Sequence, residues 1–149
     1  DIEVGDIVIS TDLVQHDFDV TAFGHDFGVI PRMATSFFSA DEELKELAKK
    51  SALKVFSAEK VREGRIVSGD QFINGIEKIN WLRDTFSGEA CEMEGASVAH
   101  VCHLFGVPFV ILRAISDKAN SDAKVDFAEF VNLAAKKSKE IVVNMLKEM

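Results

Sequence analysis

The chain has 149 residues, 47% apolar and 28% charged, enough for one compact domain with its own core. A formal net charge of -8 without a basic stripe argues against a nucleic-acid partner, and the apolar runs are too short for helices that cross a bilayer. Cys91 and Cys102 form no CxxC pair and read as reduced, buried thiols of a cytoplasmic protein. The chain opens at Asp1 and enters a strand pattern almost at once, so the expectation is that part of a longer protein precedes it.

Ile7 to Val14, rich in Ile and Val, predicts a strand. Residues 17–38 read as a long loop with Gly24, Gly28, Pro31 and five phenylalanines, a length usually found where a loop is functional or interfacial. Ser39-Ala40-Asp41-Glu42 reads as a capping box opening a helix that runs to about Leu53. Val61 to Ser68 predicts a second strand. Gly75 to Phe86 predicts a helix stopped by Ser87-Gly88. A short strand around Ala90-Cys91 leads to a helix from Met93 to Phe105, apolar on most sides and therefore expected to be buried. Gly106 and Pro108 end it. Phe109 to Ile115 is a continuous apolar run, as expected of a central parallel strand. Asp126 is expected to cap a final helix, in which Phe127, Phe130, Val131, Ala134, Ile141, Val142, Met145 and Leu146 recur at helical spacing. Strands alternating with helices imply an α/β fold with a mostly parallel sheet.

Two acidic clusters stand at the edges of apolar segments. In Glu92-Met93-Glu94, acidic residues at a helix start are favourable against the helix dipole by about 0.3–1 kcal/mol without any ligand. Residues two apart on a helix point about 200° apart, so one site does not use both glutamates in the same way. A glutamate there that binds a ligand has a natural partner in a cis-diol, because a carboxylate accepts two hydroxyl hydrogen bonds at once. Asp117 ends the run from Phe109, where an α/β sheet places its ligands, although Asp is also common in turns. Arg113 within that run needs an anionic or carbonyl partner. In Val67-Ser68-Gly69-Asp70-Gln71-Phe72-Ile73-Asn74-Gly75, a strand meets a glycine-punctuated turn. Phe72 there could stack on a planar base and the Ile73 backbone could read its edge. The spacing is neither GxGxxG nor a P-loop. His100 and His103 are three apart but lack a metal's usual ligand count, and His16-Asp17-Phe18-Asp19 reads as loop capping. No nucleophile elbow is present.

The stretches VSGDQFING, CEMEGASVAHVCHLFGVPF, RAISDKAN and HDFDVTAFG, across essentially the whole chain, closely resemble the 5′-methylthioadenosine/S-adenosylhomocysteine nucleosidases, within the wider superfamily of purine nucleoside phosphorylases. The resemblance implies a three-layer α/β fold, a mixed and mostly parallel sheet flanked by helices, as one domain over residues 1–149 that lacks its N-terminal portion. It implies hydrolysis of an N-ribosidic bond through an oxocarbenium-like transition state, without metal or organic cofactor. Asp117 would protonate adenine at N7, held by Ser116. Glu94 would bind the ribose hydroxyls and Met93 would pack on the sugar. Phe72 would stack on adenine and Ile73 would contact it through its backbone. Arg113 would sit beside ribose and water, and Phe127 would line the alkylthio pocket. Val20, Phe23 and Pro31 would complete that pocket in the partner subunit of a homodimer. Gly95 stands where the family often has alanine, a change expected to matter little. The family's water-activating glutamate and a glycine- and serine-containing ribose loop would fall before Asp1, so this polypeptide alone is expected to be inactive. The alternatives are a purine nucleoside phosphorylase and a non-catalytic module that binds adenine nucleosides.

Overall fold

A computed structural model describes residues 2–117 and 123–149, with backbone alone for 123–130. Five strands, β1 (Ile7–Gln15), β2 (Phe38–Ser39), β3 (Val61–Ser68), β4 (Gly88–Glu92) and β5 (Leu112–Ala114), form one sheet in the order β2-β1-β3-β4, with β5 also against β1. The helices are α1 (Glu42–Ala52), α2 (Ile76–Phe86), α3 (Gly95–Phe105) and α4 (Ala123–Glu148). The sheet is mixed: β1, β3 and β4 are parallel, while β2 and β5 run antiparallel to β1. This is the predicted α/β class.

β1 is buried on both faces, and its alternation explains how helices come to cover both. Ile7 and Ile9 face α1 and α4, packing with Ala48, Ala52, Ile141 and Met145. Val8 faces the opposite layer, with Ala96 and Ala99 of α3. Between the Ser10–Gly64 and Leu13–Ile66 pairs β1 carries one more residue than β3. Such a bulge inverts the side-chain parity. Odd-numbered Leu13 therefore joins Val8 on the α3 face, and Val14 turns to pack with Leu82 and Phe86 of α2. Arg65 clamps the bulge, with Nε and Nη2 on the two Asp12 carboxylate oxygens at 2.7 and 2.8 Å and Nη1 on the Phe86 carbonyl at 2.7 Å.

Several expectations need correction. The helix cap after β2 is Asp41, whose carboxylate accepts from Leu44 N at 3.0 Å; Ser39 is paired in β2 and caps nothing. Of the run Phe109 to Ile115, only Leu112–Ala114 is a strand; it is antiparallel to β1 and half-buried. An apolar run signals burial but not direction, and the Ser10 backbone and hydroxyl tie down Ile111 instead of a longer ladder. Helix α3 starts at Gly95, because Gly88–Glu92 is strand and Glu94 is the N-cap. Nor is it buried all round. Ala96 and Ala99 lie on the sheet, whereas Val98, Val101, Leu104 and Phe105 are exposed. A helix apolar on every side needs two covers, and one sheet face supplies one. α4 begins at Ala123, so Asp126 lies inside it. Cys91 is exposed and Cys102 half-buried; both are free thiols. The stop signals of α2 and α3 hold: Ser87 and Gly106 both adopt the left-handed conformation.

Candidate functional site

The parallel register brings Gln15, Ser68 and Glu92 to one level at the carboxyl ends of β1, β3 and β4. Ligands of α/β sheets bind there. Helix α3 begins at the same place, and its first N–H groups have no intrahelical acceptor. Glu94, at the N-cap, makes no side-chain cap. The acceptors come from the strand ends instead. Gly95 N donates to both oxygens of Glu92 at 2.9 and 2.8 Å, Glu94 N donates to Glu92 Oε2 at 3.1 Å, and Ala96 N donates to Ser68 Oγ at 2.7 Å. Ser68 Oγ in turn donates to Glu92 Oε1. Gly95 is tight, since a Cβ there would stand 2.8 Å from Leu13 Cδ2 and 3.0 Å from Glu92 Oε1. The small residue matters more than expected, because it lets the Glu92 carboxylate close on the helix start.

Arg113 reaches across from β5. Its Nη2 donates to Glu92 Oε2 and, at 2.8 Å, to Glu94 Oε2. The partner required of a guanidinium in an apolar strand is thus the acidic cluster. The two glutamates differ sharply in exposure: the Glu92 side chain is 10% accessible and that of Glu94 69%. Three residues beyond Arg113, Ser116 Oγ donates to Asp117 Oδ2 at 2.9 Å. Asp117 lies close enough to β4 for its charge, with that of Glu92, to act on Cys91. Desolvation of the thiol itself is the larger cause, although the residue as a whole keeps exposed surface, and together they push that thiol up to about 12. Cys91 is therefore no thiolate nucleophile at neutral pH.

The turn after β3 supplies the other wall. Ile73 packs into the core with Val14, Val67, Leu82 and Phe86, so its backbone is what remains to meet a ligand. Phe72 projects outward and is 57% exposed. Asp17 Oδ2 accepts from Asp70 N at 2.7 Å, tying this turn to the end of β1. Asp19 caps Thr21 at 2.9 Å through nitrogen and 2.7 Å through oxygen, the loop role expected of this acidic stretch. His16 is fully buried, packed against Gly69, with neither ring nitrogen bonded among the described residues. Burial lowers its pKa and keeps it neutral. An open cleft of about 500 Å³ lies beside it, lined by Asp17, Phe27, Gln71, Lys78 and Trp81; Glu94, Arg113 and Asp117 do not line it.

Met93 is partly exposed beside Glu94. The structure therefore joins Glu94 and Arg113 directly; Met93 precedes Glu94 in the chain, and the Ser116–Asp117 pair follows Arg113 by three and four residues. Val20 and Pro31 are half-buried and Phe23 is exposed, all on the long loop. The Phe127 side chain lies outside the described residues. Two groups went unassigned in the sequence, Ser68 and Glu92; the signal for both was their place at the last position of a strand directly before a turn or helix start. His100 stacks on Phe38 at 4.8 Å between ring centroids and His103 lies 5.4 Å from the same ring, an aromatic packing role. Among the described residues no cluster of three metal-ligating groups exists. No described helix is long and apolar enough to cross a membrane.

The chain is 49% identical over 149 residues to the 5′-methylthioadenosine/S-adenosylhomocysteine nucleosidase of Actinobacillus succinogenes, covering 99% of this chain and 64% of that protein. Its fold superposes with a TM-score of 0.93 on a mutant Helicobacter pylori MTAN holding 5′-methylthioadenosine in its active site, at 42% identity, covering 100% of this chain and 63% of that one. It also superposes, with a TM-score of 0.91 and 40% identity, on the futalosine hydrolase of Helicobacter pylori, covering 99% of this chain and 62% of that one. The chain thus spans less than two thirds of the length of each. Residues 1–147 match the phosphorylase superfamily, and with the strand-end site laid out as described above, the chain belongs to that superfamily.

Proposed function

We propose that the protein carrying this chain is an N-glycosyl hydrolase that splits 5′-methylthioadenosine and S-adenosylhomocysteine into adenine and a 5-alkylthioribose, with residues 1–149 belonging to one nucleosidase domain. The observation that supports this reading is the 2.8 Å bond from Arg113 to the exposed Glu94, with the Ser116–Asp117 pair beginning three residues along the chain from Arg113. Glu94 keeps most of its acceptor capacity for the ribose 2′- and 3′-hydroxyls. Met93 packs on the sugar. Phe72 stacks on the base, and the Ile73 backbone reads its edge. Asp117, steadied by Ser116, gives a proton toward N7, so that adenine leaves as a neutral base. Arg113, beside the ribose, stands near the water that attacks C1′. Phe127 lines the alkylthio pocket. Val20, Phe23 and Pro31 of the long loop close the pocket of the partner subunit in a homodimer; the exposure of Phe23 on a soluble surface supports a covered role. The enzyme is cytoplasmic and uses no metal or organic cofactor.

The test is product analysis on the full-length protein. Adenine release from both nucleosides without phosphate is the expected result. Strict dependence on phosphate, with ribose 1-phosphate formed, would make it a phosphorylase. Tight nucleoside binding without any release would make it a binding module. Futalosine belongs in the same assay, because one similar fold is a futalosine hydrolase.

A further inference from the structure

Glu92 and Glu94 share one guanidinium but are used in opposite ways. Four donors converge on the Glu92 carboxylate: Ser68 Oγ, Glu94 N, Gly95 N and Arg113 Nη2. A carboxylate offers about four lone-pair positions, so Glu92 has none left for a ligand. Its side chain is also nearly closed off from solvent. Glu94 faces solvent and takes one bond from Arg113. A single nitrogen, Arg113 Nη2, serves both carboxylates. The charge of Glu92 decides how that nitrogen is divided. Without it, the guanidinium loses one of its two anions and settles on Glu94, where it competes with any hydroxyl for the same oxygens.

We infer that Glu92 is a positioning residue for diol recognition: it holds a share of Arg113 that would otherwise fall to Glu94 and pins the start of α3, leaving the remaining Glu94 acceptor positions available to a cis-diol. This rests on the nucleosidase reading. It assigns Glu92 no contact with substrate.

The experiment compares two hydrolysis-resistant probes on the full-length protein, 5′-methylthio-7-deazaadenosine and its 2′,3′-dideoxy counterpart, by calorimetry. In Glu92→Gln, which keeps the side-chain shape and removes the charge, the diol probe should bind about tenfold more weakly, while the dideoxy probe changes by less than about threefold. In an Arg113→Met background the same substitution should leave the ratio of the two affinities unchanged, since no guanidinium remains to be redirected. If Glu92→Gln does not fold, Glu92→Asp carries the same test: it keeps the charge but is one methylene short of spanning Arg113 and the helix start, and should shift the ratio in the same direction by less. Equal weakening of both probes in every variant would reduce Glu92 to a structural cap and overturn the inference. Wild-type protein that binds neither probe would remove the nucleosidase reading, and the inference with it.

Discussion

The two helical layers of this protein differ in composition and in how fully they are covered. On one side of the sheet, α1 and α4 close over Ile7 and Ile9, and Lys50 and Lys54 of the α1 region grip Glu148 at the end of α4. On the other, α3 is more apolar than α1 yet leaves Val98, Val101, Leu104 and Phe105 uncovered, 79% of Phe105 being accessible. The candidate site lies at the start of that uncovered helix. Hydrophobicity measures how much a segment gains from a cover. It does not name the cover, which for α1 is this chain's own α4 and which no described element of this chain supplies for the outer face of α3. One layer is closed by this chain's own helices, and the candidate site lies at the edge of the other.

Substitutions can break that division or sharpen it. The largest effect is expected from Asp117→Asn in the full-length enzyme: turnover falls by about 10²- to 10⁴-fold, because an amide cannot donate the proton, while the melting temperature stays near wild type. Near-normal turnover would take the acid role from Asp117. On the closed side, Ile9→Ala should cost about 2–5 kcal/mol in urea unfolding, from lost burial and a cavity against α1 and α4, with little change in the affinity of the folded protein for nucleoside. A loss of affinity as large as the loss of stability would show that the two layers are not separable. Phe23→Glu, on the loop proposed to close the partner's pocket, should weaken self-association by roughly tenfold in sedimentation equilibrium without lowering monomer stability. Unfolding instead would mean that the loop belongs to this chain's own core.

The smallest effect concerns His16, just past the end of β1 and packed against Gly69. Its folded pKa is lowered by burial, from an ordinary value of 6.5. The unfolded chain then binds the extra proton first, so stability rises with pH through this window and is lost as pH falls below about 6.5. Urea midpoints measured from pH 8 to pH 5 should decline in wild type and flatten in His16→Gln. An unchanged slope in the variant would place the pH dependence elsewhere.

Much of this was legible from residue order. The strand at Val61 to Ser68, the left-handed stops at Ser87 and Gly106, and the α/β alternation are local matters of backbone preference and periodicity, and they appear as expected. Asp117 drew notice as an acidic residue after an apolar run, yet the strand in that run ends at Ala114, three residues before it. The direction of β5 was not legible, since pairing direction depends on where the chain returns and not on which residues it contains. Nor was the division between Glu92 and Glu94. Helical spacing set them apart for a different reason, as neighbours on a helix, whereas the structure ends a strand on one and caps a helix with the other.

By itself, then, the sequence determined the class of fold, the family resemblance and the chemical types at the strand ends, because periodicity, turn residues and motifs are properties of neighbouring positions. Only the tertiary structure decided that Arg113 would be shared by two carboxylates of unequal exposure, that the bulge at Ser10 to Leu13 would send successive β1 side chains to three different packing clusters, and that α3 would keep a bare apolar face. Each depends on contacts between segments tens of residues apart, and no local pattern encodes which of the possible partners is met.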